Sequence, residues 1–316
     1  MRMKMKYTFG LLAMLALAAV WAASADWSSF RGNAAMTGVS SQFSDRPRLL
    51  WTHESKLPIV STAAIVGDTV YVTVRGKALL ALRLADGKLK WTMATKDFVS
   101  TSPCVVGSTV YFGDEGGTFY AVNTANGAVR WKFATADKIM SSATPAPGAI
   151  LFGSYDNYLY KLNAATGKLI WKYKAGAQVH CSPCVSGDAA IIAGCDGFVR
   201  VIDLKTGKQR AATNLGGNFG ASPVYAGGAA FVGSMGGDYA AVSTKNGTLL
   251  WHVRVNQEQS GPYGSPALSG SALIFPSRDH SVLCLARGTG RLTWRFPLKT
   301  ECDSSPAIAG NRVFTI

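Results

Sequence analysis

The densest set of side chains able to do chemistry is His180-Cys181-Ser182-Pro183-Cys184, with Cys195 just downstream. An imidazole beside thiolates has the ligand chemistry for Zn²⁺ or copper. With Cys104, Cys284 and Cys302 the chain holds six cysteines, and six thiols allow about fifteen complete disulfide pairings. Cys184 and Cys104 take the same place after Ser-Pro that Val224 and Ala267 take elsewhere, which makes them small apolar residues. Cys181 replaces the small residue before Ser-Pro, and Cys195 falls at a turn. Metal ligation, one disulfide and buried free thiols are therefore three open fates. No Cys-x-x-Cys-His run is present for c-type haem attachment. The histidines are His53, His180, His252 and His280, and neither a Gly-x-Ser-x-Gly elbow nor a phosphate-cradling loop accompanies them. His53 and His252 follow a tryptophan at a blade edge, and His280 stands in a turn. No catalytic residue is assigned.

The elements that would position these groups follow from composition and period. With 48% hydrophobic residues, 34 Gly and 12 Pro in 316 residues, the chain is neither disordered nor collagen-like. Excess glycine without excess proline predicts many tight turns. Trp51, Trp91, Trp131, Trp171, Trp251 and Trp294 recur in steps of 40, 40, 40, 80 and 43, and Ala211 stands where the absent tryptophan belongs. Each tryptophan closes a phrase of strand, Asp/Asn/Thr-Gly turn and second strand, as in residues 121–131 and 161–171. Units open with Ser102-Pro103, Ser182-Pro183, Ser222-Pro223, Ser265-Pro266 and Ser305-Pro306, and in weaker form with Thr62-Ala63 and Ser142-Ala143. Runs of five to seven residues rich in Val, Ile, Tyr and Phe are too short and too punctuated for helices. Four short strands per unit, repeated about seven times, predict an all-β fold, a β-propeller with the tryptophans docking blade on blade.

The units start near residues 60, 101, 141, 181, 221, 264 and 304. The seventh holds only two strands before Ile316, so the expectation is seven four-stranded blades with the last incomplete, or a chain truncated at its C-terminus. Leu49-Leu50-Trp51 matches the last strand of a unit and is expected to supply the outer strand of that final blade.

The phrase Leu162-Asn163-Ala164-Ala165-Thr166-Gly167-Lys168-Leu169-Ile170-Trp171, with Ser-Pro at the unit start, resembles the tryptophan-docking repeat of the pyrroloquinoline-quinone-like (PQQ-like) β-propellers. The opening Trp27-Ser28-Ser29-Phe30-Arg31-Gly32-Asn33 with Thr37-Gly38-Val39-Ser40 is similar to the start of many exported members. The resemblance covers nearly all of the chain after residue 25. It implies either a quinoprotein dehydrogenase or a non-catalytic scaffold such as the outer-membrane assembly lipoprotein. For the enzymes it implies PQQ with calcium on Glu, Asn and Asp, an Asp base and an adjacent cysteine pair. No two cysteines here are adjacent and no carboxylate matches those roles. The lipid-bearing cysteine of the scaffold is absent too.

Residues 1–25 read as a secretion signal, with Arg2, Lys4 and Lys6, an apolar run over 9–21 and a small-residue cleavage site at Ala23-Ser24-Ala25. Residues 26–48 are then an N-terminal extension and 49–316 the propeller. The expected location is periplasmic or secreted, with no transmembrane segment left after cleavage. The net charge of +14 comes from singly scattered Lys and Arg. It suits peripheral contact with an anionic surface or an acidic partner, and not nucleic acid. Interaction residues are expected where loops between units share a face with those between second and third strands. The three-residue excess falls there, within 256–263, so Gln257, Glu258 and Tyr263 are candidates with Arg278, Asp279 and His280. The predicted function is an exported scaffold for an envelope protein partner, possessing no cofactor; the alternative is a PQQ-dependent dehydrogenase.

Overall fold

The computed structural model describes residues 26–40, 46, 48–255 and 261–315. Seven sheets form a β-propeller, six of them four-stranded and one three-stranded. Blades 1 to 6 span residues 64–94, 104–134, 144–174, 184–214, 224–254 and 267–297. In each, a three-residue strand is followed by three longer ones in antiparallel meander order. Period-2 alternation explains why the sheets pack on both faces. The third strand Thr118–Asn123 places Phe119 against Phe152 of the next blade, rings stacked at 3.9 Å, and Tyr120 under Phe112 of its own blade at 5.1 Å. The core is accordingly a set of separate apolar layers between neighbouring blades.

The tryptophans clasp these layers from outside. The indole Nε1 of Trp91 donates to Thr124 O at 2.9 Å, Trp131 to Ala164 O at 3.1 Å and Trp171 to Leu204 O at 3.0 Å, each acceptor lying in the next blade. The ring covers the turn glycine of that blade. A Cβ on Gly167, whose φ is +71°, would stand 2.6 Å from Trp131. That turn therefore needs glycine both for its left-handed backbone and for the room the indole takes. Where Ala211 replaces tryptophan, the turn closes down, and a Cβ on Gly247 would meet the Ala211 methyl at 2.8 Å.

Blade 7 contains Ala307–Ala309 and Arg312–Phe314, with Val39–Ser40 paired in parallel on the inner side of the first of these. This corrects the expected closure. Leu49-Leu50-Trp51 forms no strand, because the third strand that would hydrogen-bond to it is missing among the described residues. Trp51 nevertheless docks on blade 1 as an outer-strand tryptophan does, donating to Leu84 O at 2.7 Å and lying over Gly87.

The segment read as an N-terminal extension threads the centre of the ring. In six of the seven blades the middle residue of the first strand turns its N–H towards the axis. Ile65 donates to Trp27 O, Val105 to Ser28 O, Val185 to Ala34 O, Tyr225 to Ala35 O, Leu268 to Thr37 O and Ile308 to Gly38 O, all at 2.7–3.0 Å. Blade 3 has Pro145 at this place, which carries no N–H to satisfy. The segment thus supplies the partners that an exposed inner edge would lack. Arg31 is buried within it and donates through Nη2 to Pro266 O at 2.9 Å and to Pro306 O. Burial pushes its pKa down to about 9, so it is charged at neutral pH. A Cβ on Gly38 would fall 1.9 Å from that nitrogen.

Candidate functional site

Antiparallel order puts the loops between blades and the second-to-third-strand turns at one end of the ring. There the axis opens into a funnel of about 840 Å³. Phe30 of the central segment lines it, together with Met140, His180, Tyr263, Phe314 and the serines of the unit starts. Those serines form an arc. Thr62 N donates to Ser102 Oγ at 3.0 Å, and Ser102, Ser142, Ser182, Ser222 and Ser265 each donate N–H to the hydroxyl of the serine one blade on, at 2.9 Å. The following proline cannot donate, so the serine N–H is the group available at that corner. The recurrence of serine was legible in the sequence, but only as punctuation.

One wall carries His180. Its Nδ1 lies 2.8 Å from the Tyr155 hydroxyl, and Lys138 Nζ stands 4.5 Å from the Tyr155 ring centroid. Burial, and then the Lys138 charge, lower the His180 pKa below its ordinary 6.5. The imidazole and the tyrosine hydroxyl share this hydrogen bond, the donor being set by the tautomer. The unfolded chain therefore takes up the proton first as the pH falls, and stability from neutral His180 is present above about pH 6.5 and lost below it. Urea midpoints of the native chain should fall more steeply between pH 7 and 5 than those of His180→Asn; parallel curves would show that this histidine is not coupled to folding.

The thiols are all free, and burial pushes the Cys104 pKa up to about 12 and raises those of Cys181 and Cys184. Cys195 is half-buried and also raised, by burial first. These are protonated side chains at neutral pH, without nucleophilic thiolate character. Among the described residues no three His, Cys, Asp or Glu side chains converge to hold a metal ion.

Of the loop candidates, Tyr263 and Arg278 come together. The Arg278 guanidinium lies 4.2 Å from the Tyr263 ring centroid and forks onto Asp303 at 2.6 and 2.7 Å, which holds its pKa above the usual value. Tyr263 also packs on Gly220, across the loop from the neighbouring blade. Asp279 turns outward to Arg295 at 3.5 Å and accepts from Ser281 Oγ. His280 is exposed at φ +61°, the turn position held by Gly117, Asn157, Gly197 and Gly237 in other blades. Its type is set by nothing it touches at the funnel. Gln257 and Glu258 lie outside the described residues. Sequence reading missed Met140 and Tyr155, and met Phe30 only as part of the opening phrase, with nothing to place it at the funnel.

A family model described as outer membrane protein assembly factor BamB matches residues 39–154 and 137–262. This chain belongs to that family. No curated protein sequence matches it. Among solved structures, the BamB propeller of Moraxella catarrhalis aligns at TM-score 0.74 and 20% identity over 84% of this chain and 82% of that one. The computationally designed Ika8 protein aligns at TM-score 0.75 and 15% identity, covering 84% and 83%. A europium-containing methanol dehydrogenase aligns at TM-score 0.69 and 11% identity, covering 90% and 87%. At these identities the likeness is one of fold.

The BamB-family funnel of this chain does not fit PQQ with calcium. Among the described residues, those lining it include no Lys or Arg to neutralise a tricarboxylate, and their one carboxylate, Asp303, is engaged by Arg278. What the arrangement offers instead is hydroxyls, main chain and apolar side chains around a closed floor. Such a lining can seat a neutral polypeptide loop.

Proposed function

We propose that this chain is an exported, non-catalytic scaffold of the cell envelope that seats a loop of a partner protein in the funnel. Residues 1–25 act as its secretion signal in this reading, 26–48 as the N-terminal extension, of which 26–40 thread the ring, and the location is periplasmic or secreted. The observation that carries it is the funnel lining, neutral and hydroxyl-rich on a ring braced from its centre. Membership in a family described by outer-membrane protein assembly supports a partner engaged in that process.

A photo-reactive residue placed at Tyr263 should give one discrete protein adduct in intact cells, and the same residue at Lys88, on the opposite face, should not. Absence of the adduct at Tyr263, or the same adduct from both positions, overturns the reading. So would a stoichiometric complex with PQQ and Ca²⁺ that oxidises alcohols or sugars with a dye acceptor.

A further inference from the structure

The two ends of the ring differ in charge. On the funnel face the second-to-third-strand turns carry Asp114, Glu115, Asp156, Asp196 and Asp279 against Arg75, Lys77 and Arg278. Most of these are paired within the face, as Arg75 is with Glu115 and Arg200 with Asp196. At the other end the third-to-fourth-strand turns sit on the first-to-second-strand turns, Leu84 N bonding to Asp68 O, Leu204 to Asp188 O and Arg287 to Ser271 O. The third-to-fourth turns bear Lys88, Lys168, Lys205, Lys208, Lys245, Arg287 and Arg291, with Asp86 as their one carboxylate. All of these cations are exposed. Asp86 pairs with Lys88 at 3.9 Å and with Arg83, while Asp68 and Asp188 pair with Lys90 and Arg210. Among the described residues, Lys168, Lys205, Lys208, Lys245, Arg287 and Arg291 enter no ion pair.

Aliphatic side chains stand on the same rim at the start of the outer strands of blades 1, 2, 3, 5 and 6, while that of blade 4 starts with Gln209-Arg210. Leu89, Val129, Leu169, Ile170, Leu249, Leu250 and Leu292 are all 40–56% exposed. Nothing in the blade explains an exposed aliphatic residue repeated at this corner, since the buried layers lie further along the strands. A soluble acidic polymer would use the cations and leave the aliphatic side chains in water. An acidic protein would be expected to meet a local patch, whereas cation and aliphatic side chain recur together in blades 1, 3, 5 and 6 around the ring. A laterally uniform surface with anionic headgroups above an acyl boundary matches both features.

We propose that the face opposite the funnel docks on an anionic lipid bilayer, with the cations at the headgroups and the rim leucines reaching the acyl boundary. The funnel then faces away from the membrane. This goes beyond the scaffold reading and does not depend on it, because it is tested without a protein partner. The chain starting at Asp26, free of apolar residues 9–21, is sedimented with phosphatidylcholine vesicles containing about 30% phosphatidylglycerol and with pure phosphatidylcholine vesicles.

Binding is expected to the anionic vesicles at about 0.05 M salt, with at least a tenfold loss at about 0.5 M as screening shortens the Debye length. Reversing Lys205 and Lys208 to Glu should cut the partition coefficient at least tenfold. Reversing Lys96 and Lys138 to Glu on the funnel face, the same change in net charge, should cut it less than threefold. Leu249→Ser with Leu250→Ser should weaken binding severalfold at either salt. Lys96, Lys205 and Lys208 are exposed and Lys138 is half-buried, and unchanged urea midpoints verify folding of each variant. No binding to anionic vesicles, equal binding to both vesicles, or equal losses from the two charge reversals would each overturn the proposal. Binding to a soluble polyanion with no binding to the vesicles would do the same.

Discussion

Deleting residues 26–40 is expected to abolish cooperative unfolding of the ring. The deletion removes seven inter-element backbone hydrogen bonds, the six above and that from Trp27 N to Ile65 O, each worth about 1 kcal/mol net. It also removes Met36, 1% exposed in the layer between blades 4 and 5. A loss on the order of 7 kcal/mol compares with a whole-domain stability of about 5–15 kcal/mol. Geometry makes the loss worse than the sum, since the segment ties six blades in order around the axis while blade 7 has no third or fourth strand among the described residues. The check is a urea titration followed by circular dichroism, with a synthetic peptide of residues 26–40 added back. A sharp transition at the native midpoint without the peptide would refute the central role of this segment. Gly38→Val should reproduce part of the effect, because its side chain would occupy the place of the Arg31 guanidinium.

Trp131→Ala is expected to cost about 3 kcal/mol, the range for a large aromatic removed from a packed site. Three contacts go together: the Nε1 bond to Ala164 O, the ring's cover over Gly167, and the tilted pair with Tyr111 at 5.8 Å. Trp294→Ala, at the same place in blade 6, should cost less than about 1 kcal/mol, as for surface positions. Trp294 is 40% exposed and faces blade 7, which has no third-to-fourth-strand turn among the described residues for it to cover. Denaturant midpoints of the two variants at equal slope measure the contrast. Equal costs would mean that the tryptophans act within their own strands and not as clasps between blades.

The repeat was legible because a propeller writes its geometry into the chain at fixed pitch. Tryptophan at the end of a unit, glycine in the turn and serine at the start each answer a demand that recurs in every blade. Where the demand changes, the sequence shows it, as at Ala211, and the structure supplies the compensation in the closed-down turn. The candidate site was less legible. Tyr263 and Arg278 were named for standing in a long loop and a turn, and they do meet at 4.2 Å. Asp279 and His280, next to them in sequence, point elsewhere, since neighbours in a tight turn project in different directions. The cysteines, left between metal ligation, one disulfide and buried free thiols, are free thiols, with Cys181 and Cys184 buried and Cys195 half-buried at its turn.

From sequence alone follow the fold class, the number of units, the places of the docking tryptophans and the family. All of these depend on local pattern repeated at one period. Only the tertiary structure decided how the ring closes and what lines its funnel. Closure rests on main-chain N–H groups turned towards the axis, which every residue except proline carries and no side-chain pattern announces. The charge separation between the two faces was hidden for a related reason. Its residues alternate along the chain from one end of a blade to the other, and only folding sorts them into opposite rims.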